Sequence, residues 1–128
     1  MKSILTILLS LGFLIGLAQI NTEKASALTN NFNKHLSLTT QQAEKVKNLI
    51  SKKLNLIAEL KTDKDTEKAN VSIMLEKRKF FTELKEILTE EQFNAYQVLR
   101  SEQSIAINSG EKVENPIIDS DLDMLIKK

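Results

Sequence analysis

The chain has 128 residues, 18 of them basic and 17 acidic, with one His, no Cys and no Trp. That length holds a single domain. The balanced charge excludes the basic excess of a nucleic-acid binder, and the lack of Cys excludes a disulfide framework.

Residues 1–18 differ from the rest. Lys2 supplies a short positive start, Ile4 to Leu17 form an apolar run, and Gly16 and Ala18 place small residues at the −3 and −1 positions before Gln19. This pattern predicts a secretory signal peptide cleaved after Ala18. The run is shorter than the roughly 18 or more apolar residues of a membrane span. Removing Lys2 leaves basic and acidic residues equal in number, so the mature chain 19–128 is formally neutral.

After residue 18 the chain has one Gly, Gly110, and one Pro, Pro116. Sheets need tight turns, which usually draw on Gly, Pro or Asn-Gly. Here Ala, Leu, Glu, Lys and Gln dominate, all strong helix formers. The expected fold is all-α.

In chain order, Ala25, Leu28, Phe32 and Leu36 recur every three or four positions and predict a first helix, about Glu23 to His35. A second is predicted from Thr40 to about Lys61, with a stripe of Val46, Leu49, Ile50, Leu54, Ile57 and Leu60. Lys53 falls in the middle of that stripe. Residues 61–66 read as a polar turn, in which Asp63, Asp65 or Thr66 can cap the next helix. The third helix is predicted from about Thr66 to Ile87, with Ala69, Ile73, Phe80, Leu84 and Ile87 on one face and Lys77 at its centre. The fourth follows after a sharp bend and should reach about Asn108, with Gly110 as its stop. Residues 109–128 read as a flexible C-terminal tail, either loosely docked or mobile, with a short helix expected at Leu122 to Ile126.

One pattern occurs twice. Leu38, Thr39 and Gln42 form L-T-x-x-Q, and so do Leu88, Thr89 and Gln92, 50 positions later. The physical reading is a helix start. A Thr hydroxyl at the N-cap accepts from the N–H three residues on, and the Gln there reaches back to the cap's own N–H. Leu88 and Phe93 add a hydrophobic staple, which Ala43 weakens in the first copy.

Two such boxes, each preceded by Leu in an exported all-α chain, resemble the periplasmic LTxxQ-motif family, the Spy/CpxP-like proteins. The resemblance covers residues 25–108. It implies a small, curved, four-helix, cradle-like domain over residues 19–108, commonly a homodimer, located in the periplasm. It also implies an ATP-independent chaperone role: binding unfolded or misfolded client proteins and limiting their aggregation, as in envelope stress. Two alternatives come with it: a regulator that docks on an envelope sensor kinase, and a metal-binding or metal-sensing member of the same superfamily. The chain departs from the family in its neutral charge and in its extra tail containing Pro116.

Nothing in the sequence marks an enzyme. His35 is the single His, and there is neither a nucleophile-elbow motif nor a Gly-rich phosphate loop. No cofactor is expected. Glu90-Glu91 sit in a first helical turn, where the helix dipole favours negative charge. A lone His35 is a weak metal candidate without companion ligands, unless two subunits share a site. Lys53 and Lys77 interrupt two apolar faces. Either each stem is buried and its ammonium snorkels to water, or both faces stay partly open as an apolar and cationic client surface.

Overall fold

The computed structural model describes residues 21–126. The expected signal peptide and its cleavage point after Ala18 lie outside them. Among the described residues the chain forms four helices and no strand, so the protein is all-α. Helix α1 occupies 21–36, α2 is Thr40–Leu60, α3 is Thr66–Ile87 and α4 is Glu90–Asn108. None of the described helices is long and apolar enough to cross a membrane.

Each boundary has a local cause. Ser37 turns left-handed at φ 53° and stops α1, with its N–H donating to the Asn33 carbonyl at 3.0 Å. Asn33 Oδ1 accepts from the Leu38 N–H at 2.9 Å, which steadies the exit. Thr39 and Thr89 cap α2 and α4, and both full capping boxes are present. Asp65 caps α3 by accepting from the Lys68 N–H at 3.1 Å. Helix α4 ends in a Schellman motif: Gly110 donates to Ile107 and Glu111 donates to Ala106. Gly110 takes φ 82°, a conformation side chains with a Cβ rarely adopt.

Two hairpins, the antiparallel α1/α2 and the splayed α3/α4, share one core: α3 packs along α2, while α4 meets α3 mainly near the turn that joins them. Asn21 and Asn55 meet near one end of the first hairpin, while its turn lies at the other. The predicted stripe of α2 is buried from Val46 to Ile57, and Ala25, Leu28, Phe32 and Leu36 of α1 are buried with it. Helices α3 and α4 add Phe80, Leu84, Phe93 and Tyr96. Phe32 stacks on Tyr96 at 5.5 Å, and Phe81 meets Phe93 at 5.1 Å. Burial raises the Tyr96 phenol well above its ordinary pKa, so the ring stays neutral at any physiological pH.

The tail corrects an expectation. Rather than a flexible extension, residues 115–126 dock on the bundle. Ile117, Ile118 and Leu122 are core residues, each no more than 5% exposed. Turns replace the expected short helix at 122–126. The physical reason is apolar content: three large aliphatic side chains within six residues favour burial by roughly 1.5–3 kcal/mol each. Gln103 of α4, itself buried, accepts from the Ile117 N–H at 2.8 Å, which supplies a partner for backbone that no strand or helix would satisfy. Leu122→Ala should therefore cost about 2–4 kcal/mol in denaturant unfolding. Met124→Ala, at a 43% exposed position, should cost less than about 1 kcal/mol. Equal small effects at both positions would contradict the docked tail.

Candidate binding surface and the glutamine corner

The two L-T-x-x-Q boxes do more than begin helices. Within each box the Gln Oε1 accepts from its own cap N–H, Thr39 or Thr89, at 3.0 Å. Across the boxes, Gln42 Nε2 donates to Gln92 Oε1 at 2.7 Å and Gln92 Nε2 donates back to Gln42 Oε1 at 3.1 Å. The second hydrogen of each amide goes to the end of a helix in the other hairpin. Gln42 donates to the Ile87 carbonyl at 3.2 Å, and Gln92 donates to the Leu36 carbonyl at 3.3 Å. The two amides therefore join the end of α1 and the start of α2 to the end of α3 and the start of α4. A capping box accepts Glu or Gln equally. This corner needs Gln, because carboxylates would bring acceptors against acceptors.

Lys53 is 2% exposed, and its ammonium does not reach an open face. Its Nζ donates to Glu76 at 2.8 Å and to Glu83 at 3.2 Å, two acids seven residues apart on α3. The expectation of a client-facing Lys53 is thus corrected: α3 covers it and supplies both counter-charges. The hydrogen bond from Lys53 holds the Glu76 carboxyl below its ordinary pKa against the opposing effect of burial, and Lys79 at 3.4 Å adds to the effect.

Lys77 is half-buried, and its Nζ donates to the Ser120 carbonyl of the tail at 3.1 Å. It lines an open cleft of about 460 Å³ between α2, α3 and the tail, whose apolar walls include Ile57, Ile73, Met74 and Met124. Lys61 and Asp121 stand at the same cleft and pair at 2.6 Å. Next to it α3 exposes large apolar side chains: Val71 at 54%, Met74 at 46% and Leu75 at 49%. Positions 71, 74, 75 and 78 share one helix face, so the exposed Arg78 closes the stripe with a positive charge. Met74 joins the stripe to the cleft, and Met124 extends the apolar surface onto the tail.

The remaining candidates are placed as follows. His35 is exposed and its Nε2 lies 3.0 Å from the Asn115 carbonyl. Among the described residues no group of three or more His, Cys, Asp or Glu is arranged to hold a metal ion. Glu90 and Glu91 occupy the first turn of α4. Asp123, buried against Arg100 at 2.8 Å, has its pKa raised by burial, with the guanidinium opposing the shift. Reasoning from sequence missed the Gln42–Gln92 pairing, the exposed α3 stripe and the docked acids of the tail. Two signals for them were present: an amide at N3 with donors to spare, and Asp119, Asp121 and Asp123 alternating around Leu122. Comparison with protein-family models, with curated proteins and with solved structures finds no match to the chain.

A double-mutant cycle tests the corner. Gln42→Ala and Gln92→Ala should each cost about 1–3 kcal/mol, with a coupling of about 1 kcal/mol or more between them. Gln42→Glu keeps the cap but should destabilise as much as Gln42→Ala, whereas an isolated capping box would tolerate it. The Lys53 site makes a pH prediction. Because the folded pKa of Glu76 is depressed, its contribution is fully present above the unfolded value of about 4.3 and is lost as pH falls through the folded value. The stability gap between the native chain and Glu76→Gln should be constant above about pH 5 and should close on further acidification. A gap independent of pH down to pH 2 would contradict the ion pair.

Proposed function

We propose that the protein is a non-enzymatic holder of polypeptide: a periplasmic chaperone of the Spy/CpxP type that binds unfolded or misfolded segments reversibly and without a cofactor. The observation that carries this is the stripe of Val71, Met74 and Leu75, half-exposed beside a cationic residue and continuous with the cleft. Apolar side chains clustered at the surface mark an interaction site more than scattered ones do. Covering one half-exposed side chain is worth about 1 kcal/mol, so the stripe alone gives weak, quickly reversed binding after the cost of association. That is what holding without an energy source requires. Arg78 and Lys79 speed encounter with acidic clients more than they add affinity. The paired capping boxes and the export pattern of residues 1–18 support the same role.

The test is suppression of client aggregation by the mature chain. Val71→Ser and Leu75→Ser together should lower suppression several-fold while leaving thermal unfolding within about 0.5 kcal/mol, as for exposed sites generally. Val98→Ser with Ile105→Ser, at exposed positions of α4, serves as control and should change neither. Undiminished suppression by the α3 double variant would overturn the proposal.

A further inference from the structure

The tail is held on the bundle as a bound peptide would be. Among the described residues, no backbone-to-backbone hydrogen bond joins residues 112–126 to a helix. Side chains make the contacts instead, with one cation each from α1, α3 and α4 and one from Lys61, the residue that caps α2. Lys24 of α1 pairs with Asp119 at 2.9 Å and Asp121 at 3.4 Å, and Lys61 at the C-cap of α2 pairs with Asp121. Lys77 of α3 donates to the Ser120 carbonyl, and Arg100 of α4 pairs with Asp123. The pairing with Asp119 and Asp121 raises the Lys24 pKa against the opposing, largest single effect of burial. Asn31 of α1 and Asn108 of α4 hold the carbonyls of Pro116 and Leu125.

The segment also folds on itself. Leu122 and Asp123 donate backbone N–H groups to the Asp119 carbonyl at 3.0 and 2.8 Å. The Asp119 N–H donates to Asp123 Oδ2, and the Asp121 N–H donates to Asp119 Oδ1. The result is a single turn that places Ile117, Ile118 and Leu122 in the core, with Asp119 and Asp121 facing Lys24 of α1 and Asp123 facing Arg100 of α4. The connector before it is exposed at Glu111, Lys112 and Glu114, and left-handed residues bracket it: Gly110 at φ 82° and Asn115 at φ 50°.

We propose that this four-cation groove is a recognition site for a short apolar and acidic turn, with the chain's own tail as its intramolecular occupant. The partner is a segment of another polypeptide with two adjacent aliphatic residues followed by alternating acids around a Leu, and it enters by displacing residues 115–126. This deepens the polypeptide-holding proposal by naming a segment chemistry. Its test measures the groove without any aggregating client, so the two proposals fail separately.

The experiment uses the whole chain with a protease site introduced between Glu111 and Glu114, so that after cleavage the tail remains present but unlinked. A fluorescent peptide of residues 115–126 is then added and followed by anisotropy, with helical circular dichroism recorded alongside. The expected result is exchange to one labelled peptide per chain with helicity retained. Affinity should fall about tenfold or more between 50 and 500 mM salt, because partly exposed pairs are screened. A peptide carrying Asp119→Asn, Asp121→Asn and Asp123→Asn should bind at least about tenfold more weakly. A peptide with Val for each Ile and Glu for each Asp should compete with the labelled one. Three results would each overturn the proposal: exclusion of the labelled peptide from the cleaved chain, loss of helicity that the peptide does not restore, or equal binding of the Asn peptide.

Discussion

Two glutamine side chains meet at the point where all four helices either begin or end. Each amide serves its own helix cap through one oxygen lone pair and the other box through the second, while its two hydrogens go to the opposite Gln and to a carbonyl at a helix end. A helix end leaves several carbonyls without intrahelical partners. The corner satisfies one at the end of α1 and one at the end of α3, and in doing so ties the α1/α2 turn to the α3/α4 turn. The stacking of Phe32 on Tyr96 lies one turn away from this junction on each helix. Further along, the tail lies against both helices: Asn31 of α1 holds the Pro116 carbonyl, and Gln103 of α4 accepts from the Ile117 N–H.

Much of the fold was legible because helix signals are local. Asp65, Thr39, Thr89 and Gly110 act within four residues of themselves, and α3 and α4 end at Ile87 and Asn108 as read from the chain. Apolar periodicity marked the buried face of α2 from Val46 to Ile57, whereas Leu60, read as part of the same stripe, is only half-buried at the helix end. What was missed is long-range. The capping boxes were readable singly, yet nothing in either box says that their amides would face each other. Lys53 fell on the core face by periodicity, and only the packing of α3 shows why a charge is tolerated there: Glu76 and Glu83 straddle it. A charge buried with two hydrogen-bonded counter-charges is compatible with a core, whereas an unpaired one is not. The tail was misread because turn residues and a Pro dominate it, and three aliphatic side chains in an irregular segment carry no period to detect.

The same contrast shapes the functional argument. Of the two lysines that interrupt apolar faces, Lys53 belongs to the interior, and Lys77 belongs to the cleft and the tail contact. The surface proposed for a partner is the α3 stripe and the cleft beside it, where apolar side chains stand next to Arg78, Lys77 and Lys61. Acidic residues of the tail already engage the cationic rim. A single physical theme, aliphatic contact framed by positive charge, thus describes both the segment the bundle holds and the surface it still exposes.

The central claim is that the paired glutamines lock the two hairpins together. The most direct measurement is solution NMR of the side-chain amide protons of Gln42 and Gln92. The account predicts four resolved Nε2 proton signals in slow exchange with water, with cross-peaks between the two amides and from each to the other hairpin. Fast-exchanging signals with no contact between Gln42 and Gln92 would contradict it.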